Sequence, residues 1–388
     1  MKKKLIPYGR QFIDNADLLS VKKSLKETLI TTGQKVDKFE KELSNFLKTK
    51  HAITCNSGTA ALHLAFMAAG VKSGDVIIMP VVNFISAFNM SKILGASVFF
   101  SDVDAKTGQM TPKFLLECIK KNKITKIKVI LTMYMGGFPE NVFELYKIKK
   151  KYKCLLIEDA CHALGSKYFH RNKMIHVGSC KHADISTFSL HPLKPITTGE
   201  GGIVTTNNNF FASKIKKLRS HGIIRNKKYF WKYDIGSPGF NYRLSDINCA
   251  LGISQLKKLE FFLSRRKKIY NLYKQKLSKL NSFITLPEYE KKNQSSFHLM
   301  IININFHHKK NQKDKFLSYL FKNNIICQYH YIPINKFKEL NLKLPKFDSA
   351  EKYYQSSLSI PIYHNLNYKT QIYVINKIEN FFKNKKTI

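Results

Sequence analysis

A lysine set between two prolines is the first residue in this 388-residue chain whose surroundings ask for chemistry. Lys194 lies in Thr187-Phe188-Ser189-Leu190-His191-Pro192-Leu193-Lys194-Pro195, with Gly199, Gly201 and Gly202 following. An apolar run leads to it, and a glycine turn leads on into another. Such a rigid, poorly hydrated setting lowers an amine's pKa and makes it nucleophilic, as a Schiff-base lysine requires. In a lysine-rich chain a surface lysine is the plain alternative, and the flanking strand and glycines argue against it. A second stretch, Leu155-Leu156-Ile157-Glu158-Asp159-Ala160-Cys161-His162-Ala163, is an apolar strand ending in two acids. Ligand-binding groups in open α/β sheets sit at the carboxyl ends of strands. An acid there could hold a metal, act as a base or pair with a protonated ring nitrogen; a capping carboxylate fits this stretch alone equally well. The third is Asn56-Ser57-Gly58-Thr59-Ala60-Ala61-Leu62-His63, which follows an apolar run at 52–54 and opens a helix. Small residues let the backbone approach an anion, and a helix N-terminus offers free N–H groups. An ordinary N-cap is the alternative. Neither a Walker A motif nor Gly-x-Gly-x-x-Gly occurs, which argues against nucleotide hydrolysis and dinucleotide binding.

Taken together, the three stretches fit pyridoxal phosphate chemistry. The helix N-terminus takes the phosphate, the acid stabilises a pyridinium so that the ring draws electrons, and the lysine carries the cofactor. Lys194 and Asp159 are 35 residues apart, on successive strand ends of one sheet.

The elements that must position these groups alternate. Short β-rich apolar runs fall at 76–79, 97–100, 129–133, 154–157, 185–189 and 202–205, with helical patterns at 86–94, 112–121 and 140–151. Strands buried on both faces and spaced by helices imply an α/β fold with a mostly parallel, doubly wound sheet. Before it come an extended start, a helix at 17–29 and another at 36–46. After it, one long helical pattern at 245–280 leads to an apolar run at 298–305, a helix at 313–323 and a short segment at 325–331. The expected division is an arm and cofactor-binding large domain over 1–255 and a smaller α+β domain over 256–388.

Sixty-six Lys and Arg against 26 Asp and Glu give a formal charge of +40, which invites a nucleic-acid reading. The basic residues, however, come in small groups all along the chain, at 2–4, 120–123, 147–151, 214–217, 265–268 and 383–386. That distribution suits base-composition drift on solvated faces better than a binding patch, so no nucleic-acid partner is expected. A hydrophobic fraction of 44% excludes disorder. No run approaches the roughly 18 apolar residues of a spanning helix, and no apolar signal region opens the chain, so no membrane partner is expected. The seven cysteines form no Cys-x-x-Cys pair and are odd in number, which reads as free thiols in a cytoplasmic protein. Cys161, His162, Cys180 and His182 match no common zinc spacing, so no metal is expected.

These residues resemble the DegT/StrS-type sugar aminotransferases, a branch of the fold-type-I pyridoxal phosphate enzymes, from about Ile6 to the C-terminus. The resemblance rests on the lysine stretch, Arg219-Ser220-His221-Gly222-Ile223, Gly239-Phe240-Asn241-Tyr242-Arg243-Leu244-Ser245-Asp246, Ile6-Pro7-Tyr8-Gly9-Arg10-Gln11 and Gln328-Tyr329-His330-Tyr331-Ile332-Pro333. It implies that Lys194 holds the cofactor and moves protons, that Asp159 pairs with the pyridine nitrogen, and that His162 and Phe84 lie at the ring. It further implies that Gly58, Thr59 and Ser189 bind the phosphate, and that Asn241 reaches the phosphate of a neighbouring subunit, hence a homodimer with shared sites. Tyr8, Ile30, Thr31, Ser57, His330 and Tyr331 would surround a sugar nucleotide. Family members that are dehydratases carry His in place of the lysine, so Lys194 favours transamination. The implied reaction passes an amino group from L-glutamate, which leaves as 2-oxoglutarate, to a UDP-linked 4-keto-6-deoxy-N-acetylhexosamine. Another nucleotide-linked 3- or 4-keto sugar is the alternative acceptor. Asn83 and Cys161 depart from the family pattern, where Thr or Ser and Ala or Ser are usual, without removing a catalytic group.

Overall fold

A computed structural model describes residues 5–226, 228–229, 231–306 and 312–383. The basic groups at 2–4 and 384–386 lie outside the described residues. In chain order the first half forms α1 (Asn15–Ser24), α2 (Gln34–Leu47), β1 (His51–Cys55), α3 (Gly58–Ala68), β2 (Val76–Pro80), α4 (Ser86–Ile93), β3 (Ser97–Ser101), α5 (Pro112–Lys121), β4 (Val129–Met133), α6 (Val142–Lys151) and β5 (Leu155–Asp159). A hairpin of β6 (Lys167–His170) and β7 (Lys173–His176) precedes β8 (Ile185–Ser189), β9 (Gly202–Thr206) and α7 (Asn209–Leu218). A second hairpin, β10 (Ile223–Arg225) and β11 (Tyr233–Ile235), leads to α8 (Asp246–Leu256) and α9 (Leu259–Leu277). The chain closes with β12 (Ile284–Thr285), β13 (Met300–Ile304), α10 (Gln312–Lys322), α11 (Asp348–Ser356), β14 (Ser357–Ile360) and α12 (Tyr368–Lys383).

Seven strands form the central sheet in the order β1-β9-β8-β5-β4-β2-β3. The pairs β2/β3, β2/β4, β4/β5 and β5/β8 are parallel, while β9 runs antiparallel to both β8 and β1. The mostly parallel sheet therefore carries one reversed strand, because the turn after Lys194 folds straight back as a hairpin instead of crossing through a helix. Helices cover both faces. Residues of α3 pack into one core with Ile77, Met79, Leu131 and Ile157, and α5 and α6 pack into another with Ile78, Ile130 and Leu156. Helix α3 is buried on nearly every side, which is why its sequence is apolar all round.

The single helix read over 245–280 is in fact two, broken at Lys257–Lys258. Lys258 donates its ammonium protons to Asp14 at 2.8 Å and Asp17 at 2.6 Å, clamping the N-terminus of α1 onto the junction. Helical periodicity cannot report that distant pairing. Beyond the break, Ile269, Tyr270, Tyr273 and Leu277 of α9 pack with β13, β14 and α12 around a separate apolar core. Residues before this break are termed the large unit and those beyond it the small unit, a helix junction two residues from the expected 255/256 boundary. The first helix starts earlier than its apolar pattern, at Asn15, since Asp14 and Asp17 form a reciprocal capping box, and it stops at Ser24. The segment at 325–331 is not a strand: its ladder pairing is limited to the isolated bridges Ile6–Ile325 and Gln328–Ser359, and side-chain bonds hold the rest.

Candidate active site

The parallel ladder fixes the chemical groups of the large unit. Asp159 is the last residue of β5, aligned with Met133 of β4 and Thr187 of β8, and it is buried. Cys161 turns back so that its N–H donates to Asp159 Oδ1 at 3.2 Å. Ser189 ends β8, and its hydroxyl accepts the His191 N–H at 3.3 Å; the Lys194 N–H donates to His191 O at 2.9 Å. The loop closes as Thr197 Oγ1 and the Thr198 N–H both donate to Leu190 O, at 3.0 and 3.1 Å. Lys194 is thus held by short-range bonds over two strand ends.

Helix α3 begins beside them. Ser57 is its N-cap, accepting the Ala60 N–H at 3.0 Å, and Thr59 Oγ1 lies 2.8 Å from Ser86 Oγ. A Cβ on Gly58 would stand 2.9 Å from Ser189 Cβ, and one on Gly202 would stand 2.2 Å from the Ser57 carbonyl oxygen. Backbone, helix start and Ser189 converge here too tightly for any side chain but hydrogen. The Asn83 amide completes this side: its Oδ1 accepts the Phe84 N–H at 2.7 Å, while its buried Nδ2 has no partner. A narrow glycine cradle, hydroxyls and an unsatisfied donor suit a phosphate, and the buried acid opposite the lysine suits a pyridinium. The residues present therefore fit pyridoxal phosphate.

A cavity of about 470 Å³ joins these groups. Of the residues singled out in the sequence, Tyr8, Ser57, Gly58, Thr59, Phe84 and Asp159 line it, as do His162, Ser189, Lys194, His330 and Tyr331. Ile30, Thr31 and Asn241 do not. Ile30 is exposed and its carbonyl accepts the Asp246 N–H at 3.0 Å, Thr31 bridges Ser245, and Asn241 bridges Ser220 on an exposed loop. Sequence reasoning missed His298, Gln328 and Tyr329 on the opposite wall, and Ser86, His191 and Glu200 on the near one. His191 and Glu200 flank the lysine in sequence and could have been picked from that alone. His298 carried no such signal.

Burial dominates the electrostatics. It pushes the Lys194 amine below its ordinary range, with Cys161 and Asp159 pulling the other way. It raises Asp159, while hydrogen bonds from Cys161 and the charge of Lys194 hold that carboxyl down. His162 is kept well below the usual histidine range by burial, then by Lys194 and His330, and His330 is lowered to about 3. Burial holds the Tyr331 phenol and the Cys161 thiol well above their usual ranges. The site presents one amine of reduced basicity facing one carboxylate, among uncharged imidazoles and phenols. It can take a proton from a carbon and give it back.

A family model described as the DegT/DnrJ/EryC1/StrS aminotransferase family matches residues 11–379. The chain is 40% identical over 374 residues to the UDP-4-amino-4,6-dideoxy-N-acetyl-beta-L-altrosamine transaminase of Campylobacter jejuni serotype O:23/36, covering 95% of this chain and 96% of that one. Among solved structures it resembles Helicobacter pylori PseC, described as an aminotransferase involved in the biosynthesis of pseudoaminic acid. That likeness has a TM-score of 0.88 at 31% identity and covers 98% of this chain and 100% of that one. The PLP-form of the putative sugar aminotransferase Spr1654 from Streptococcus pneumoniae matches with a TM-score of 0.89 at 26% identity, over 99% of this chain and 100% of that one.

Proposed function

The chain belongs to the DegT/DnrJ/EryC1/StrS aminotransferase family, and we propose that it moves the amino group of L-glutamate to C4 of a UDP-linked 4-keto-6-deoxy-N-acetylhexosamine. The product is UDP-4-amino-4,6-dideoxy-N-acetyl-β-L-altrosamine, a precursor of pseudaminic acid. The observation that carries this reading is the 40% identity across 95% of the chain to a transaminase named for that sugar, joined to a lysine that opens on the same cavity as a buried strand-end carboxylate.

Pyridoxal phosphate, when bound, supplies the electron sink that lets a proton leave the carbon bearing the amino group. Gly58, Thr59 and Ser189 would hold its phosphate, Asp159 its ring nitrogen, and Phe84 and His162 would flank the ring. Lys194 moves the proton at the substrate carbon. Burial has already weakened its hold on a proton, so the amine both accepts and returns one. The raised phenol of Tyr331 and the lowered imidazoles keep other charges away from that exchange. Tyr8, Ser57, His330 and Tyr331 would contact the sugar. Ile30, Thr31 and Asn241 lie outside this chain's own cavity; in a homodimer with shared sites Asn241 would reach the phosphate of the second copy, and Ile30 and Thr31 would lie at its sugar nucleotide. Exposed apolar side chains on and beside the second hairpin and on α1, among them Tyr233, Ile235, Leu18 and Leu19, support such an interface. The seven cysteines, all free, support a reducing compartment, the cytoplasm. No helix among the described residues is long and apolar enough to cross a membrane.

The deciding experiment offers glutamate with a panel of UDP- and dTDP-linked 4-keto and 3-keto sugars and identifies the product. A 4-amino UDP-sugar formed far faster than any other product is expected. Preferential turnover of a dTDP-linked or 3-keto sugar would move the assignment to that substrate.

A further inference from the structure

Tyr331 and His162 share a hydrogen bond whose direction the surrounding backbone decides. Tyr331 Oη lies 2.9 Å from His162 Nε2, and either atom could donate if the pair stood alone. His162, however, is also approached from behind. The Gly136 N–H points at its Nδ1 at 3.4 Å and has no other acceptor among the bonds of the described residues. An imidazole carrying its proton on Nδ1 would set two hydrogens face to face and leave that buried amide unsatisfied. Nδ1 is therefore the lone-pair nitrogen, and a neutral ring must carry its proton on Nε2. The alternative of a doubly protonated ring is opposed by its burial, 1% exposed among His298, His330 and Lys194.

Neighbouring groups hold the backbone on both sides of this ring and pack against its face. The carbonyl of His162 accepts the Ser296 hydroxyl at 2.5 Å, and Ser296 N–H in turn donates to Ser166 Oγ at 2.9 Å. The His298 ring packs against His162 with centroids 4.4 Å apart, and the His298 N–H is tied to the Gly136 carbonyl at 3.0 Å. Since His162 donates to Tyr331, the lone pair of that phenol is used from the protein side, and its own proton has to point elsewhere. The direction left to it is the cavity it shares with Lys194.

Resting on the transaminase reading above, we propose that Tyr331 donates a hydrogen bond to the carbonyl oxygen at the reacting carbon, with His162 as the residue that orients it. A carbonyl under attack by an amine gathers negative charge on oxygen, and a fixed neutral donor stabilises that charge. The phenol lends a hydrogen bond and keeps its own O–H bond, while the protons that the carbonyl oxygen needs to leave as water come from the attacking amine and from Lys194, not from Tyr331.

Two measurements test this. Neutron diffraction from the deuterated, cofactor-loaded enzyme should place deuterium on His162 Nε2 and turn the Tyr331 deuteron toward the cavity. Deuterium on Nδ1, or a Tyr331 deuteron aimed at Nε2, would overturn the orientation irrespective of the substrate. In the second arm, Tyr331→Phe should lower kcat by about 10- to 100-fold, with KM changed by less than about threefold and with cofactor content and melting temperature intact. A rise in KM with kcat unchanged would make Tyr331 a contact to a distant sugar hydroxyl, and unchanged kinetics would remove it from the reaction. Should the enzyme use a different keto sugar, the same comparison is made on that sugar.

Discussion

The cavity has two walls built in different ways. The wall of 57–59, 159–162 and 189–194 hangs from strand ends and a helix start. Its registers are set by the parallel ladder from β4 through β8, and its loop by bonds spanning a few residues. The wall of 298 and 328–331 has no strand of its own at the site. His330 is held by its Nδ1 at 2.9 Å from Ser359 Oγ and by Tyr353, whose hydroxyl donates to the His330 carbonyl at 2.7 Å. Tyr353 in turn rides on α11, whose first turn is capped by Asp102 from the large unit, with the Ser349 and Ala350 N–H groups donating at 3.1 and 2.8 Å. The first wall carries the Lys194 amine and the Asp159 carboxyl on a ladder that many hydrogen bonds support. The second wall depends on a few long-range side-chain bonds that a single substitution can remove.

The two walls should respond differently to substitution. Lys194→Ala strikes the first wall where it is irreplaceable: activity should fall about 10⁴-fold or more, and the visible absorption band of the bound cofactor should vanish. A variant that kept a reducible linkage to the protein would refute the assignment. Asp159→Asn should cost about 10²-fold or more in kcat, with the cofactor band shifted and the fold intact, as judged by circular dichroism. Gly137→Ala tests the joint between the walls. Gly137 has φ of 90°, and an added Cβ would stand 1.9 Å from Ser296 Oγ and 2.6 Å from the His162 carbonyl. Roughly 3 kcal/mol of stability should be lost in a denaturant titration, because strain and overlap act together.

Acid should act mainly through the buried histidines. His162, His298 and His330 are held neutral by burial, with folded pKa values below the ordinary 6.5. Below that pH the unfolded chain binds more protons than the folded one, so stability falls as the pH drops from about 6.5 toward the value of about 3 for His330. Melting curves between pH 7.5 and 4.5 check the sign, and His330→Asn should flatten the slope. The smallest effect expected is that of salt. The basic side chains are spread over the chain, so kcat/KM for the sugar nucleotide should fall by less than about threefold between low and physiological ionic strength. A steep fall would give the +40 charge a steering role.

Legibility followed the same division. Lys194, Asp159 and the Ser57-Gly58-Thr59 start could be read because each sits in a contiguous stretch where a strand meets a turn or a helix. Ladder periodicity and turn chemistry are local, so strands at 129–133 and 185–189 and the helix at 112–121 matched to the residue. His298 and Gln328 carried no such signal, since they enter the cavity on irregular backbone whose course is set by partners far away in sequence. The broken helix at Lys257–Lys258 has the same cause: its ion pairs are to Asp14 and Asp17, more than 240 residues earlier.

The class of sheet, a helix start rich in small and hydroxyl-bearing residues, and a lysine and an acid placed at strand ends were legible in the sequence alone. All of these follow from residue type within a few positions. Only the tertiary structure decided which way Tyr331 points, that β9 runs back against its neighbours, and that Ile30, Thr31 and Asn241 stand apart from the cavity of their own chain. Those outcomes depend on which distant groups satisfy a buried amide or carboxylate, and a linear pattern does not encode that until the chain has closed on itself.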